Sequence, residues 1–359
     1  EAICGITPID QMVKIFEENQ KTRTAPTKPR AISFAELAST NHKSNFPKRS
    51  VVTSSLLSDV NSRSPIHKLV GQSFQPIATP LAISGISQAT LNQFASELNS
   101  VGLMPVAAAG SGSKITKIKK ATPNTLTGGT SVMMALMRGD MSFAASGTVT
   151  LRDGEKIYAF GHPFLSLGSS NLPMSESHVV TVVPNLNNSF KMAVADDMVG
   201  TMTQDRATGV YGKLGKTPKM IPVSLKMRTS RNQEKDYNFE FVRDDFLSPI
   251  LLNMAMSNSI VSNERGLGKM TVSVNGKIDI KGHDSVKIES RFTGLQASQL
   301  ATSSAAAPMQ VLLSSGFEDL EITGVELNVQ SIDGSRTAVL ERIGVNRAEV
   351  RAGEELEVQ

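Results

Sequence analysis

The sequence predicts a mainly β protein with peripheral helices. Short segments such as Met220–Leu225 and Tyr237–Val242 alternate apolar and polar residues, which is the period of a half-buried strand. Asp-Gly and Asn-Gly pairs occur within other such stretches, and both dipeptides favour hairpin turns. Of the 359 residues, 40% are hydrophobic, which is enough for two domains with their own cores.

Four segments carry helical patterns. In the first, Thr7 is a capping residue and Pro8 takes the first helical position. The apolar face of this helix consists of Ile9, Met12, Val13 and Phe16. Further helices are predicted around Leu91–Leu98, from Ser248 to about Val261 and, as a short one, at Pro308–Leu313.

Strands are predicted between these helices. A strand at Val132–Met137 precedes a hairpin within Gly147–Phe164, and a second hairpin lies within Gly200–Pro218. An Asn-Gly pair predicts a further hairpin inside Thr271–Ile280, and strands resume at Leu320–Val329.

Composition divides the chain into five segments. Residues 1–17 hold the first helix, and residues 18–72 form a polar linker or insertion rich in Lys, Arg, Ser, Thr, Asn and Pro. Residues 73–230 form a β domain with both hairpins, and residues 231–343 form an α+β extension. Residues 344–359 resemble the first strand and turn of a further β-sandwich domain.

Several classes of partner and cofactor are not expected. The formal charge is +4 with scattered basic residues, and the densest group, around Lys119, is interpreted as a solvated strand face without the aromatics of a nucleic-acid platform. Cys4 is the only cysteine, which excludes an internal disulfide and a cysteine-cluster zinc site. No apolar run reaches the ~18 residues of a membrane span. We expect no nucleic-acid partner, no cofactor and no metal.

The segment Gly147–Phe164 singles out one histidine. Its two strands lead to a Gly-His-Pro corner with His162 at the centre. Gly161 permits backbone shapes closed to other residues, while Pro163 fixes its own φ and keeps His162 extended. A histidine held in this way is pre-aimed, as a general base must be.

A similar pattern recurs about fifty residues further along the chain. Gly-Thr-x-Thr at Gly147 matches Gly-Thr-x-Thr at Gly200, and the tyrosines Tyr158 and Tyr211 correspond, with one extra residue in the second copy. At the corner, a Gly-Lys pair ending at Lys216 replaces Gly-His. A duplicated β unit explains the pattern except for the imidazole, which favours a chemical role for His162.

Three segments together resemble the stage IV sporulation protein B (SpoIVB)-like serine peptidases, in the form found in long bacterial envelope proteins. They are Gly-Ile-Thr-Pro-Ile-Asp-Gln-Met at 5–12, the Gly-Thr-Val-Thr to Gly-His-Pro-Phe segment at 147–164, and Val199–Arg206 with Met220–Val223. The resemblance covers roughly residues 1–16 and 80–330, and residues 18–72 then form an insertion.

The resemblance implies a chymotrypsin-like double β-barrel and a serine endopeptidase that acts on protein or peptide substrates, with His162 matching the catalytic histidine. It implies a secreted or envelope location and envelope partners. The family's Gly-x-Ser-Gly-Ser-Pro motif, which carries the nucleophile, is absent here, and we expect it upstream of Glu1. Residues 1–17 would then end the upstream peptidase segment. No aspartate can be carried over as the orienting acid.

Other residues have alternative interpretations. Ser111 lies in a Gly-Ser run that offers small neighbours to a nucleophile, and Ser175 and Ser177 follow His162, although flexible-turn and strand-start roles are simpler. His178 could join His162 as a metal ligand, but no third ligand is evident. Asp196-Asp197 is expected to be a pair of acidic residues in a loop. Asp205-Arg206 is expected to be an ion pair in a turn. Three histidines are expected to be solvated: His42, His67 and His283.

Two functions outside catalysis remain open. The chain could be a non-catalytic envelope binding or scaffold protein on the same fold, since the linker and the incipient β-sandwich suit that role. It could also bind a peptide by strand addition to an exposed edge.

Overall fold

The computed structural model describes residues 8–17, 78–108, 112–184, 189–264, 268–316, 320–338, 340–347, 349–355 and 357–358. The predicted linker at 18–72 therefore lies outside the described residues, as do Cys4, His42, His67 and Ser111. Within them the chain forms thirteen strands and four helices, so the prediction of a mainly β protein with peripheral helices is confirmed.

The elements are numbered in chain order. The helices are α1 (Ile9–Glu17), α2 (Gln88–Ser100), α3 (Leu247–Val261) and α4 (Ala297–Leu313). The first eight strands are β1 (Thr79–Ser84), β2 (Leu103–Ala107), β3 (Ser131–Gly139), β4 (Ser142–Asp153), β5 (Lys156–Ala159), β6 (Gly168–Val183), β7 (Phe190–Arg206) and β8 (Gly209–Leu214). The other five are β9 (Met220–Arg228), β10 (Glu234–Val242), β11 (Met270–Ile280), β12 (Val286–Gly294) and β13 (Ile322–Asp333).

All thirteen strands belong to one mixed sheet, in the order β12-β11-β13-β9-β10-β3-β6-β7-β8-β5-β4-β1-β2. Because β3 also pairs with β4, the pairings of β3, β6, β7, β8, β5 and β4 form a closed cycle of six antiparallel strands. Fully buried apolar side chains from these strands, among them Met134, Phe143, Ile157 and Val199, belong to the main core. The other strands extend the sheet outward from this six-strand cycle.

The larger extension begins at β10, which pairs with β3 next to the cycle. Phe239 and Phe241 of β10 stand opposite Gly139 and Met137 of β3. β9, β13, β11 and β12 follow, with β13 and β9 parallel. α3 and α4 contact this extension, and the predicted domain boundary at 230/231 falls in the turn between β9 and β10.

α3 is buried along most of its length, and side chains from it form hydrogen bonds with α2 and with the residues just before α2. The Asn258 side chain accepts from the Ser87 N–H (2.8 Å) and donates to the Gly85 carbonyl (3.0 Å). Ser87 caps α2, where its hydroxyl accepts from the Thr90 N–H. Asn258 is only 2% exposed, so this amide ties α3 to the start of α2.

Three local predictions are wrong in whole or in part. The Asn-Gly pair in Thr271–Ile280 makes no turn, because β11 runs straight through it and a Cβ on Gly276 would lie 2.1 Å from the Glu326 carbonyl oxygen of β13. The helix predicted at Pro308–Leu313 is present but longer, because it is the last part of α4, whose alanine-rich face is buried and which contains Pro308 in its interior. The segment around Lys119 is exposed as predicted, but it is irregular rather than a strand.

The last described stretch carries one β element. Val345 and Val358 form an isolated antiparallel bridge, and the side chains around them are exposed. The further β-sandwich domain therefore stays a prediction.

Candidate functional site

The two similar hairpins meet each other in the sheet. Lys156–Ala159 of β5 pairs with Val210–Lys213 of β8, and Tyr158 stands directly opposite its counterpart Tyr211. Equivalent positions therefore face each other across an antiparallel pair, which relates the two hairpins by an approximate two-fold axis. The duplication seen in the sequence is thus a duplication of neighbouring hairpins in the fold.

The corner glycines of the two copies adopt the same left-handed backbone. The φ angle is 71° at Gly161 and 74° at Gly215, a region that glycine enters without steric cost. In the first copy Phe160 also has a positive φ, of 74°, which is unusual for a residue with a bulky side chain. Its N–H donates to the Thr148 carbonyl (3.0 Å), so the chain turns sharply only after leaving the sheet.

The ring of Phe160 occupies the space above Gly147. A Cβ built on Gly147 would lie 2.0 Å from two atoms of this ring, so the glycine of the Gly-Thr-x-Thr motif makes room for Phe160. The centroid of the Phe160 ring lies 5.6 Å from the centroid of the His162 imidazole. It lies 6.5 Å from the ring centroid of the fully buried Phe164, and these two rings meet edge to face. The imidazole thus packs against the Phe160 ring, and the glycine of the hairpin motif leaves the space that this ring occupies.

The His162 imidazole is exposed and oriented by its own chain. Its Nδ1 lies 2.9 Å from the Pro163 carbonyl oxygen. A carbonyl oxygen can only accept, so Nδ1 donates in this contact, and in a neutral imidazole the lone pair then lies on Nε2. Among the described residues no hydrogen-bond partner of Nε2 is found, which leaves this nitrogen free to take a proton.

A buried carboxylate lies beneath the loop that carries this histidine. Asp205 of β7 is 1% exposed and accepts the N–H groups of Phe164 (2.8 Å), Leu165 (2.7 Å) and Leu167 (3.1 Å). Burial raises the pKa of the Asp205 carboxyl, while these backbone N–H groups oppose the rise. The predicted turn ion pair with Arg206 is therefore corrected: the carboxylate binds the backbone of the His162 loop.

A lysine contacts the start of the same hairpin motif. Lys191 donates to the Gly147 carbonyl (2.5 Å) and to the Thr148 hydroxyl (3.1 Å). Partial burial disfavours its ammonium and lowers the pKa of Lys191. Sequence reasoning missed Lys191 and the role of Asp205, because each binds backbone groups some forty residues away and leaves no side-chain pattern.

Helix α1 docks beside the His162 corner, on the outer face of the paired tyrosines. Phe16 stacks on Tyr211 at 5.5 Å and lies 6.1 Å from Tyr158. A Cβ on Gly209 would lie 2.4 Å from the Met12 methyl and 3.5 Å from the Gly161 N. The predicted apolar face of α1 is confirmed, and it brings the N-terminal helix to the start of the His162 loop.

The serines weighed as nucleophiles lie elsewhere. Ser175 and Ser177 both lie inside β6 rather than at the start of a strand. Ser175 is 6% exposed, and the Ser177 hydroxyl donates to the Ser131 hydroxyl (2.8 Å). Among the described residues no serine is hydrogen-bonded to the His162 ring. The structure therefore brings no nucleophile to His162 within the part of the chain it describes.

His178 and the acidic pair form a separate, exposed group. The Nδ1 of His178 lies 2.8 Å from an Asp196 carboxylate oxygen, and the Lys119 ammonium lies 2.5 Å from Asp197. Asp196 and Asp197 lie within β7, so their predicted place in a loop is wrong. No group of three or more potential metal ligands is found in the described ranges. His283 is exposed after its turn, as predicted.

Comparison of the chain with family models, with curated proteins and with solved structures finds no match. Among the described helices, none is both long and apolar enough to cross a membrane.

Proposed function

We propose that this chain is part of a secreted or envelope serine endopeptidase related to the SpoIVB-like family. The His162 Nε2 would take the proton of a serine as that serine attacks the peptide carbonyl, and would then give it to the leaving amine. The serine would come from a Gly-x-Ser-Gly-Ser-Pro segment upstream of Glu1. Protein or peptide substrates follow from this chemistry.

The observation that carries the proposal is the presentation of the His162 imidazole. Its Nδ1 lies against the Pro163 carbonyl, its ring is supported by Phe160, and the residue is exposed to solvent. This arrangement fits a general base, which needs a fixed tautomer and an accessible lone pair. A solvated surface histidine does not require a loop with strained backbone and a buried carboxylate beneath it.

The position of α1 supports an upstream nucleophile. Met12 lies within a methyl contact of Gly209 and close to the backbone at Gly161. α1 itself therefore lies near the His162 corner, which is where a serine supplied from upstream of α1 would have to act. The six-strand cycle would correspond to one barrel of the chymotrypsin-like architecture, with β9–β13 in place of the second.

A serine-directed phosphonate probe tests the proposal. We expect labelling of the N-terminally extended parent, at a serine upstream of Glu1, and loss of labelling in its His162→Ala variant. The matched control is His283→Ala, which removes another exposed imidazole. Labelling of this chain at Ser111 or Ser175 would place the nucleophile there instead, and an unlabelled parent would argue for the non-catalytic scaffold.

Peptide binding by strand addition is a second candidate, and the outer half of β6 favours it. Beyond Glu176 the only described strand that pairs with β6 is β7. Val179, Val180 and Val182 in this half are 43%, 63% and 60% exposed, and residues 177–183 include no Lys, Arg, Asp or Glu. Long uncharged edges of this kind are templates for an added strand.

A peptide-binding experiment tests strand addition independently of the peptidase function. If β6 adds a strand, an extended valine-rich peptide should perturb the amide NMR signals of residues 177–183, and a Val180→Lys, Val182→Lys double variant should abolish the effect. Leu295→Lys is the control, because Leu295 is 75% exposed and lies far from β6 in the sequence, in the turn between β12 and α4. Signals that do not move in the unaltered chain would reject strand addition.

A further inference from the structure

The segment between β5 and β6 is held in an unfavourable backbone conformation. Within residues 160–168 two non-glycine residues have positive φ, Phe160 at 74° and Ser166 at 60°. Each such residue costs on the order of 1 kcal/mol or more and persists only where the surroundings enforce it. Something must therefore hold this loop, which carries His162 near its start.

The Asp205 carboxylate supplies this restraint. One oxygen accepts the Phe164 N–H, and the other accepts the N–H groups of Leu165 and Leu167. The contact reaches from β7, about forty residues away along the chain, so it fixes the loop to the sheet rather than to itself. Because Asp205 is only 1% exposed, its carboxylate needs these N–H donors in place of water, and the N–H groups need it as their acceptor.

The restraint acts directly next to the histidine. Only Pro163 separates His162 from Phe164, whose N–H is bound at 2.8 Å and whose ring is fully buried. The imidazole itself is exposed, and among the described residues it contacts the Pro163 carbonyl and the Phe160 ring. The position of His162 is therefore set mainly by where the Asp205 carboxylate places the backbone that follows it.

We propose that Asp205 is a positioning residue that fixes the His162 imidazole by binding the backbone of residues 164–167. This inference rests on the proposed peptidase function. Asp205 is distinct from a triad acid, because its oxygens bind loop N–H groups rather than the His162 ring. A misplacement of about 1 Å in a catalytic group can cost about 100-fold in rate, so the restraint matters for a general base.

The test uses Asp205→Asn, which keeps the shape but places an amide NH2 where one oxygen faced N–H donors. In this chain we expect hydrogen exchange at the Phe164, Leu165 and Leu167 amides to become at least about 10-fold faster as the bonds are lost. The ¹⁵N signals of His162 should also lose their Nδ1–H tautomer preference. In the active parent kcat should fall by about 100-fold with KM nearly unchanged.

Two further variants make the result specific. Asp197→Asn changes a carboxylate on the same strand that pairs with Lys119 instead, and it should leave the loop amides and the His162 tautomer unchanged. If Asp205→Asn does not fold, Asp205→Glu replaces it, because Glu keeps the charge but displaces it by one methylene. It should shift the same signals in the same direction.

The outcomes are separable. Unchanged exchange at the three amides, or a loosened loop with unchanged kcat in the parent, would overturn the positioning role. A wild-type parent that neither hydrolyses peptides nor reacts with the phosphonate would overturn the proposed function instead. In that case the exchange and tautomer data alone would still decide whether Asp205 orders the His162 loop.

Discussion

Gly147 and Phe160 show how a single missing side chain positions the candidate site. The Phe160 ring fills the volume that a Cβ on Gly147 would need, and that ring is in turn the surface against which His162 rests. The glycine is thus required by packing rather than by a left-handed backbone. A change at Gly147 reaches the imidazole through one intervening ring.

We predict that Gly147→Ala displaces this ring and lowers the unfolding free energy by about 1–3 kcal/mol, the usual cost of overpacking. The new Cβ would lie 2.0 Å from Phe160 ring atoms. Urea unfolding measures the loss, and NMR should show shifted His162 ring signals. Gly128→Ala is the control, since its Cβ would meet only the Thr150 carbonyl at 3.4 Å, and we expect a change within about 0.5 kcal/mol. Equal losses in both variants would contradict this account.

Lys191 gives a pH-dependent prediction. Burial lowers its pKa in the folded chain below the ordinary 10.5, so the unfolded chain binds more protons between the two values. The unfolding free energy attributable to Lys191 should therefore rise as the pH rises from the lowered value to 10.5. Urea unfolding of wild type and Lys191→Met at pH 8 and pH 10 checks this. The wild type should gain stability relative to the variant, while an exposed Lys213→Met control shows what losing a surface charge does.

At the scale of elements, α1 depends on the paired tyrosines for its stability. A nine-residue helix is too short to persist alone in water. Its Phe16 lies against Tyr158 and Tyr211, and Lys156 of β5 reaches Glu17 at 3.4 Å. An exposed ion pair of this kind contributes little, so the aromatic contacts account for the docking.

Phe16→Ala should therefore release α1 rather than unfold the protein. Truncating a buried Phe costs about 3–5 kcal/mol, which exceeds what the remaining contacts of so short a helix can supply. Trypsin cleavage at Lys14 should accelerate, and tyrosine fluorescence should change, a clean signal because the chain has no tryptophan. The exposed Gln11→Ala on the same helix should cleave at the wild-type rate. Unchanged cleavage of Phe16→Ala would show that α1 is held by other contacts.

The elements also show which signals in the sequence were reliable. Alternating strands, the α1 face and the duplicated hairpins were predictable, because each depends on local periodicity or local turn chemistry. Gly276 and Pro308 were misread, because a close approach of β13 and a buried alanine face outweighed their turn and helix-start tendencies. The role of Asp205 could not be predicted, since nothing in a sequence marks a carboxylate that binds backbone N–H groups of a distant loop.

At the scale of the whole molecule, the six-strand cycle and the larger extension are continuous through β3 and β10. Arg138 of β3 is 7% exposed, and its guanidinium donates to the Glu240 carboxylate of β10 (Nε at 2.9 Å). A buried ion pair is not a large source of stability by itself. Removing one partner, however, leaves an uncompensated buried charge at the junction.

This junction yields a prediction about cooperativity. Because the strands on both sides form one sheet, and Asn258 also links α3 to α2, we expect a single unfolding transition rather than separate transitions of 73–230 and 231–343. Glu240→Ala should lower the unfolding free energy by about 3–5 kcal/mol and still give one transition. Glu234→Ala, an exposed position on the same strand, is the matched control. Calorimetry and urea unfolding followed by two probes decide the matter. Two resolved transitions in the wild type would mean that the predicted segments fold independently despite their shared sheet, and that the buried Arg138 contact is a docking contact between them.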